Sequence, residues 1–134
     1  MAAGGMHFGL IGQLQCWNCA PFSQRIKLSS YNPMNYDPEY PQMNCYDYHD
    51  GYCWSPTASG IPWKSAWGFG AACPPDWPYG TWVEIETVGT FICLDRGNEI
   101  KCKDGICNVD LLGPGGSWNG LEFDATLWVP LSPK

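Results

Sequence analysis

Apolar side chains recur at every second position in several stretches of this chain, which is the period of a half-buried β-strand. In RIKLSSY, residues 25–31, Ile26, Leu28 and Ser30 alternate with polar neighbours. TWVEIE, residues 81–86, sets Val83 and Ile85 against Trp82, Glu84 and Glu86. TFICLD, residues 90–95, places Phe91, Cys93 and Asp95 on one face, so Cys93 and Asp95 point the same way. ICNVDLL, residues 106–112, is a further extended run, and LEFDATLWVP, residues 121–130, aligns Leu121, Phe123, Ala125, Leu127 and Val129 before Pro130. KSAWGFGAAC, residues 64–73, reads as a buried strand kinked by glycine. No window of about 11 to 18 residues carries a helical apolar stripe free of Gly or Pro, so amphipathic helices are not the framework.

The segments between these runs are turn-rich. Asp104-Gly105 is a hairpin signal, PPDWPYG is a proline-set turn, and residues 32–56 form a long Tyr-, Pro- and Asn-rich loop. Sixteen Gly and 12 Pro beside 8 Trp and 7 Tyr suit short strands joined by turns, so the fold class read from the residues is all-β. At 134 residues the chain holds one domain of ordinary size. Residues 1–25, broken by Gly4, Gly5, Gly9 and Gly12, read as an N-terminal arm, and the domain proper as residues 26–131.

Charge narrows the partners. Seven basic against 13 acidic residues give a net charge of -6, which opposes the phosphate contacts that nucleic-acid binding needs. MAAGGMHFGLIGQL has no basic n-region or small-residue cleavage site, so no signal peptide is read, and it is too short and Gly-rich to cross a bilayer. A glycine-rich terminus frays unless something ties it down, so the arm is expected to pack on a partner subunit.

Eight cysteines are an even number, as a disulfide framework and an oxidising compartment require. Local bridges are expected: Cys45 with Cys53 closing the Tyr-rich loop, Cys102 with Cys107 across the Asp-Gly turn, Cys73 with Cys93 between neighbouring strands, and Cys16 with Cys19 as the remaining pair. The C-x2-C and C-x4-C spacings could supply four thiolates to zinc, but the long separation between them makes that the weaker reading, and neither metal nor cofactor is expected. His49 could join Asp47 and Asp50 on a metal, although an exposed loop histidine is the commoner case. A cytosolic product assembled into a particle, such as a phage virion, and oxidised after release would reconcile the cysteines with the missing leader. Localisation is accordingly read as extracellular or virion.

The order IKLSSYNP, TASG, YGTWVEI, VGTFICLDRGNEI, VDLL and LEFDATLWV, spanning roughly residues 26–130, resembles the three-aspartate (3D) domain of bacterial and phage cell-wall proteins. LDRGNEI is similar to that family's DTGGAI segment and VDLL to its IDLYF segment. The resemblance implies a six-stranded double-psi β-barrel with long disulfide-pinned loops, related to membrane-bound lytic transglycosylase A, barwin, expansin and endoglucanase barrels. It also implies peptidoglycan as substrate, with Asp110 acting as acid and then base on a glycosidic oxygen and Asp95 close by. The first family aspartate is replaced: Cys73-Pro74 stands where the family has aspartate-proline.

The chemistry needs a carboxyl held protonated near neutrality, by burial or by a neighbouring negative charge. The competing reading makes Asp95 and Asp110 struts that accept backbone N–H groups, with Arg96 keeping Asp95 ionised. Flat rings near the site, Tyr31, Trp63 and Trp67, together with Thr57 of TASG, are candidate sugar-binding residues; Trp54, Trp77 and Trp118 are further rings that could stack on sugars or fill core and subunit contacts. Two functions follow: a structural or adhesive subunit of a virion or extracellular assembly that engages cell-wall glycan, or a lytic transglycosylase-like enzyme using Asp110 and Asp95. The Cys73 replacement favours the first.

Overall fold

A computed structural model describes residues 5–8, 14–33, 45 and 47–131, with side chains from residue 18 onward. Strands β1 (Gly5–Phe8) and β2 (Leu14–Trp17) pair only with each other. The remaining elements are β3 (Cys19–Tyr31), β4 (Tyr48–His49), β5 (Tyr52–Cys53), a single-turn helix α1 (Trp63–Ala66), β6 (Gly70–Ala72), β7 (Trp82–Ile85), β8 (Gly89–Asp95), β9 (Cys102–Lys103), β10 (Ile106–Leu112) and β11 (Glu122–Pro130). The all-β expectation holds.

Six of these strands close on themselves. The order is β3-β11-β7-β8-β6-β10, and β10 returns to β3, so the sheet is a closed six-stranded barrel with β9 as an appendage on β10. Two neighbours are parallel, β3 with β10 and β6 with β8; the other pairs are antiparallel. Closure explains the alternation. Ile26, Leu28, Val83, Ile85, Cys93, Cys107, Val109, Leu111, Ala125 and Leu127 all enter one buried cluster, while the polar residues between them face outward. Each large aliphatic among them contributes about 1.5–3 kcal/mol by leaving water.

Three boundaries differ from the sequence reading. β3 begins at Cys19, not near Arg25, because Cys19 to Arg25 already pair with β11. Pro21 is tolerated there because β10 reaches β3 only from Arg25 onward, so Pro21 lies where that edge of β3 has no ladder. The single strand read over residues 64–73 is divided into α1 and β6, with Gly68 at φ +92 between them. Gly70 starts β6 because a Cβ there would meet the Ala66 Cβ at 3.0 Å and the Ala66 carbonyl at 3.1 Å. Its absence lets α1 settle on the barrel, where Ala66 packs with Leu94 and Leu112 beneath Tyr31, Trp63, Trp67 and Ile92. Leu121, read as inward, is instead exposed: it precedes β11 and closes a turn through its N–H to the Trp118 carbonyl.

Asp104 (φ 55) and Gly105 (φ 82) form the tight turn between β9 and β10. Cys102–Cys107 bridges that hairpin, Cys45–Cys53 ties the Tyr-rich loop to β5, and Cys73–Cys93 joins the end of β6 to β8. Cys19 is also disulfide-bonded; the side chain of Cys16 and residues 34–44 and 46 of the loop lie outside the described residues. These bridges point to an oxidising environment. Among the described residues no helix is long and apolar enough to cross a membrane.

Cys73 and Cys93 are both fully buried, and their bond closes a loop with a sequence separation of 20. Replacing both by alanine is expected to lower the unfolding free energy by about 3 kcal/mol, read from guanidinium denaturation. An unchanged midpoint would show that the bridge does not constrain the unfolded chain.

Candidate active site

The parallel β3–β10 pair sets Asp110 beside Ser29. On the opposite edge of β10, Asp110 pairs with Ala72, and Ala72 in turn pairs with Asp95 of β8. Ser29, Asp110, Ala72 and Asp95 therefore form one row across four strands. Neighbouring strands lie about 4.8 Å apart, so the two aspartate backbones are roughly 10 Å from each other. The residue between them is an alanine, whose small side chain leaves the carboxylates able to approach over it.

Asp95 reaches this row through an irregularity. Ala71 pairs with Cys93, but Ala72 pairs with Asp95, so Leu94 is an extra residue in β8. Unbroken alternation would place Cys93 and Asp95 on the same face; the bulge separates them. Cys93 remains in the barrel interior, whereas Asp95 meets Tyr31, whose ring packs in the outer cluster. The bulge also frees the Leu94 carbonyl, which accepts the Ser59 N–H at 3.0 Å.

That contact anchors the TASG turn against the end of β8. The Ala58 N–H donates to Asp95 Oδ1 at 2.8 Å and the Tyr31 hydroxyl donates to Oδ2 at 2.7 Å, leaving Asp95 only 6 % exposed. Asp95 thus accepts a backbone N–H, the kind of contact that the strut reading assigns to it. Thr57 is buried, and its hydroxyl donates to the Ile61 carbonyl at 2.8 Å within the same turn, so it shapes the loop and presents no hydroxyl to a ligand. Burial, and next the hydrogen bond to Asp95, push the Tyr31 phenol far above its ordinary value, so it remains a donor.

Asp110 has a different environment. It is half-buried and accepts one hydrogen bond from the Ser29 hydroxyl at 2.7 Å. Burial raises its pKa above the carboxylate value of 3.8, the Ser29 bond opposes that, and the charge of Asp95 adds to the rise. Its carboxyl lines an open groove of ≈ 360 Å³ with Lys27, Ser29, Glu99, Asn108 and Asn119. This arrangement can do acid–base work: one carboxyl biased toward its protonated form in the lining of an open groove, with a second, buried aspartate in the same row.

Arg96 does not act on Asp95 as the sequence suggested. Its guanidinium donates to the backbone carbonyls of Trp77 at 2.6 Å, Asp95 at 3.3 Å and Cys73 at 3.4 Å, and stacks over Tyr79. It therefore ties the β6–β7 loop to the end of β8. Trp77 is a core residue and Trp118 packs partly against the core. Trp63 meets Tyr31 edge-on at 5.1 Å, and Trp67 packs beside it on the outer cluster. His49 bonds Asp47 at 3.0 Å and stacks on Trp54, and among the described residues no three His, Cys, Asp or Glu side chains gather as for a metal.

Ser29 and the Ala58 N–H were missed from sequence. Alternation along IKLSSY puts Lys27, Ser29 and Tyr31 on the outward face, but nothing local says which strand lies opposite. No protein-family model, curated protein or solved structure matches the chain.

The folded chain holds the Asp110 proton more tightly than the unfolded chain does. Stability therefore falls as pH rises from the ordinary carboxylate value through the raised folded value, and stays lower above it. Asp110→Asn should thus gain melting temperature relative to the wild type at pH 7 but not at pH 3; an equal difference at both would contradict the shift. Tyr31→Phe removes a donor from a buried carboxylate and is expected to cost about 1–3 kcal/mol in chemical denaturation.

Proposed function

We propose that the chain is a double-psi β-barrel of the 3D type that works outside the cytosol on cell-wall glycan, cleaving it as a lytic transglycosylase with Asp110 as the acid and base. The observation that carries this reading is the half-buried Asp110 carboxyl, raised toward its protonated form, in the lining of an open groove. The two parallel pairs, β3 with β10 and β6 with β8, linked through β10 and β6, support the double-psi topology.

In this reading protonated Asp110 gives its proton to the glycosidic oxygen as the bond from that oxygen to the sugar's anomeric carbon breaks. The resulting carboxylate then takes the proton of the same sugar's 6-hydroxyl, whose oxygen closes on the anomeric carbon. The anhydro-sugar product needs neither water nor cofactor, and Asp110 ends as it began. Ser29 stabilises the carboxylate between the two transfers. Asp95 supplies negative charge that favours the acid form of Asp110 before the first transfer.

A second reading keeps the barrel and the glycan but drops the chemistry: an adhesive or structural subunit of a virion or extracellular assembly, held to other subunits through the segment that precedes β3. It is favoured by Cys73, which stands where the resemblance places the first aspartate and is committed to a buried disulfide. Digestion of purified peptidoglycan separates the two. Under the enzymatic reading the wild type releases anhydro-sugar ends and Asp110→Asn loses about 100-fold or more of that rate. Binding of cell walls without release of any product would instead establish the adhesive one.

A further inference from the structure

The outer face of the barrel carries a second concavity, an apolar pit of ≈ 140 Å³ lined by Pro33, Tyr52, Cys53, Trp63, Lys64 and Trp67. Its walls are fixed from behind. The Trp63 indole N–H is spent on the Pro56 carbonyl at 2.9 Å, Trp67 rests on the cluster of Ala66, Leu94 and Leu112, and Cys53 is bonded to Cys45. What remains to face an occupant is ring and aliphatic surface with one cation. Lys64 Nζ sits 4.4 Å from the centre of the Tyr52 ring. No carboxylate among the described residues forms an ion pair with it. In a chain of net charge -6, an unpaired cation at the rim of an aromatic pit is complementary to an anion.

The pit lies just past the end of β3, the strand that helps line the Asp110 groove. Lys27 and Ser29 line the groove, Pro33 lines the pit, and Tyr31 stands between them with its hydroxyl on Asp95 and its ring against Trp63. Ser29 and Pro33 are four residues apart, so they lie no more than about 14 Å from each other, a span within reach of a short oligosaccharide. Indole rings seat the C–H face of a pyranose, and a lysine at the edge selects a substituent that carries charge.

We infer that this pit is a distal subsite for a pyranose bearing a carboxylate, its ring on Trp63 and Trp67 and its carboxylate on Lys64, in a glycan that continues along β3 to Asp110. The inference rests on the glycan reading of the groove and adds to it the acidic character of the sugar bound away from the reacting bond.

Tryptophan fluorescence titrations test it without turnover. N-acetylmuramic acid and N-acetylglucosamine differ by one lactyl carboxylate, and glucuronic acid with glucose forms a second arm that tells a uronate from a lactyl-bearing sugar. Wild type and Asp110→Asn are expected to prefer the acidic member of at least one pair by about tenfold, the scale of one charged hydrogen bond. Lys64→Gln should lose that preference while retaining the wild-type melting temperature, and Trp67→Ala should weaken both members of the pair. Equal binding of both members by the wild type, a preference that survives in Lys64→Gln, or its loss in Asp110→Asn would overturn the assignment. Anhydro-sugar release without any acidic preference would sink the subsite alone; acidic preference without release would sink only the cleavage reading.

Discussion

Ser29 and Asp110 are 81 residues apart in sequence, yet they lie side by side because β10 runs parallel to β3 along its whole length. This one pairing closes the ring, since without it β3 and β10 would be the two unpaired edges of an open sheet. Bringing such distant segments together costs loop-closure entropy before any contact repays it. The compensation comes from the interior that closure seals, where Ile26 and Leu28 of β3 meet Val109 and Leu111 of β10. The candidate site and barrel stability therefore depend on the same ladder: its inward residues hold the fold, and its outward residues include Ser29 and Asp110.

The two aspartates illustrate how environment divides identical side chains into different roles. Asp95 is covered by the TASG turn and satisfied by two donors, one from backbone and one from Tyr31. Among the described residues Asp110 accepts from one hydroxyl, that of Ser29, and it lines an open groove. Burying a carboxylate without full hydrogen bonding favours its neutral form, so the less satisfied member of the pair is the one suited to carry a proton. The better satisfied one holds a loop in place and contributes its charge. Both effects require the bulge at Leu94, which turns Asp95 out of the core and onto the face that Asp110 occupies.

Disulfides and the outer aromatic layer stiffen the surroundings of that row. Cys73–Cys93 fixes β6 to β8 from inside, directly beneath Ala72 and Asp95, and Arg96 binds the carbonyls of Cys73, Asp95 and Trp77 from the other side. Tyr31 links the Asp95 carboxylate to the Trp63 ring. The apolar pit and the Asp110 groove are each lined by residues from more than one element.

Much of the architecture was legible in residue order. Period-two alternation marked the faces of β3, β7 and β11, residues 106–112 read as extended, Asp104-Gly105 marked its hairpin, and cysteine spacing marked three bridges, because each signal depends on nearby positions along the chain. The tertiary structure alone decided the rest. Pro21 does not stop β3 because no strand lies on that edge there, Gly70 is needed because α1 lies over it, and the face of Asp95 follows from a register shift against β6 rather than from its own strand. Which hydroxyl meets Asp110, and which amide meets Asp95, depend on chain segments dozens of residues away, and pairing between strands is a property of the closed barrel that no local pattern encodes.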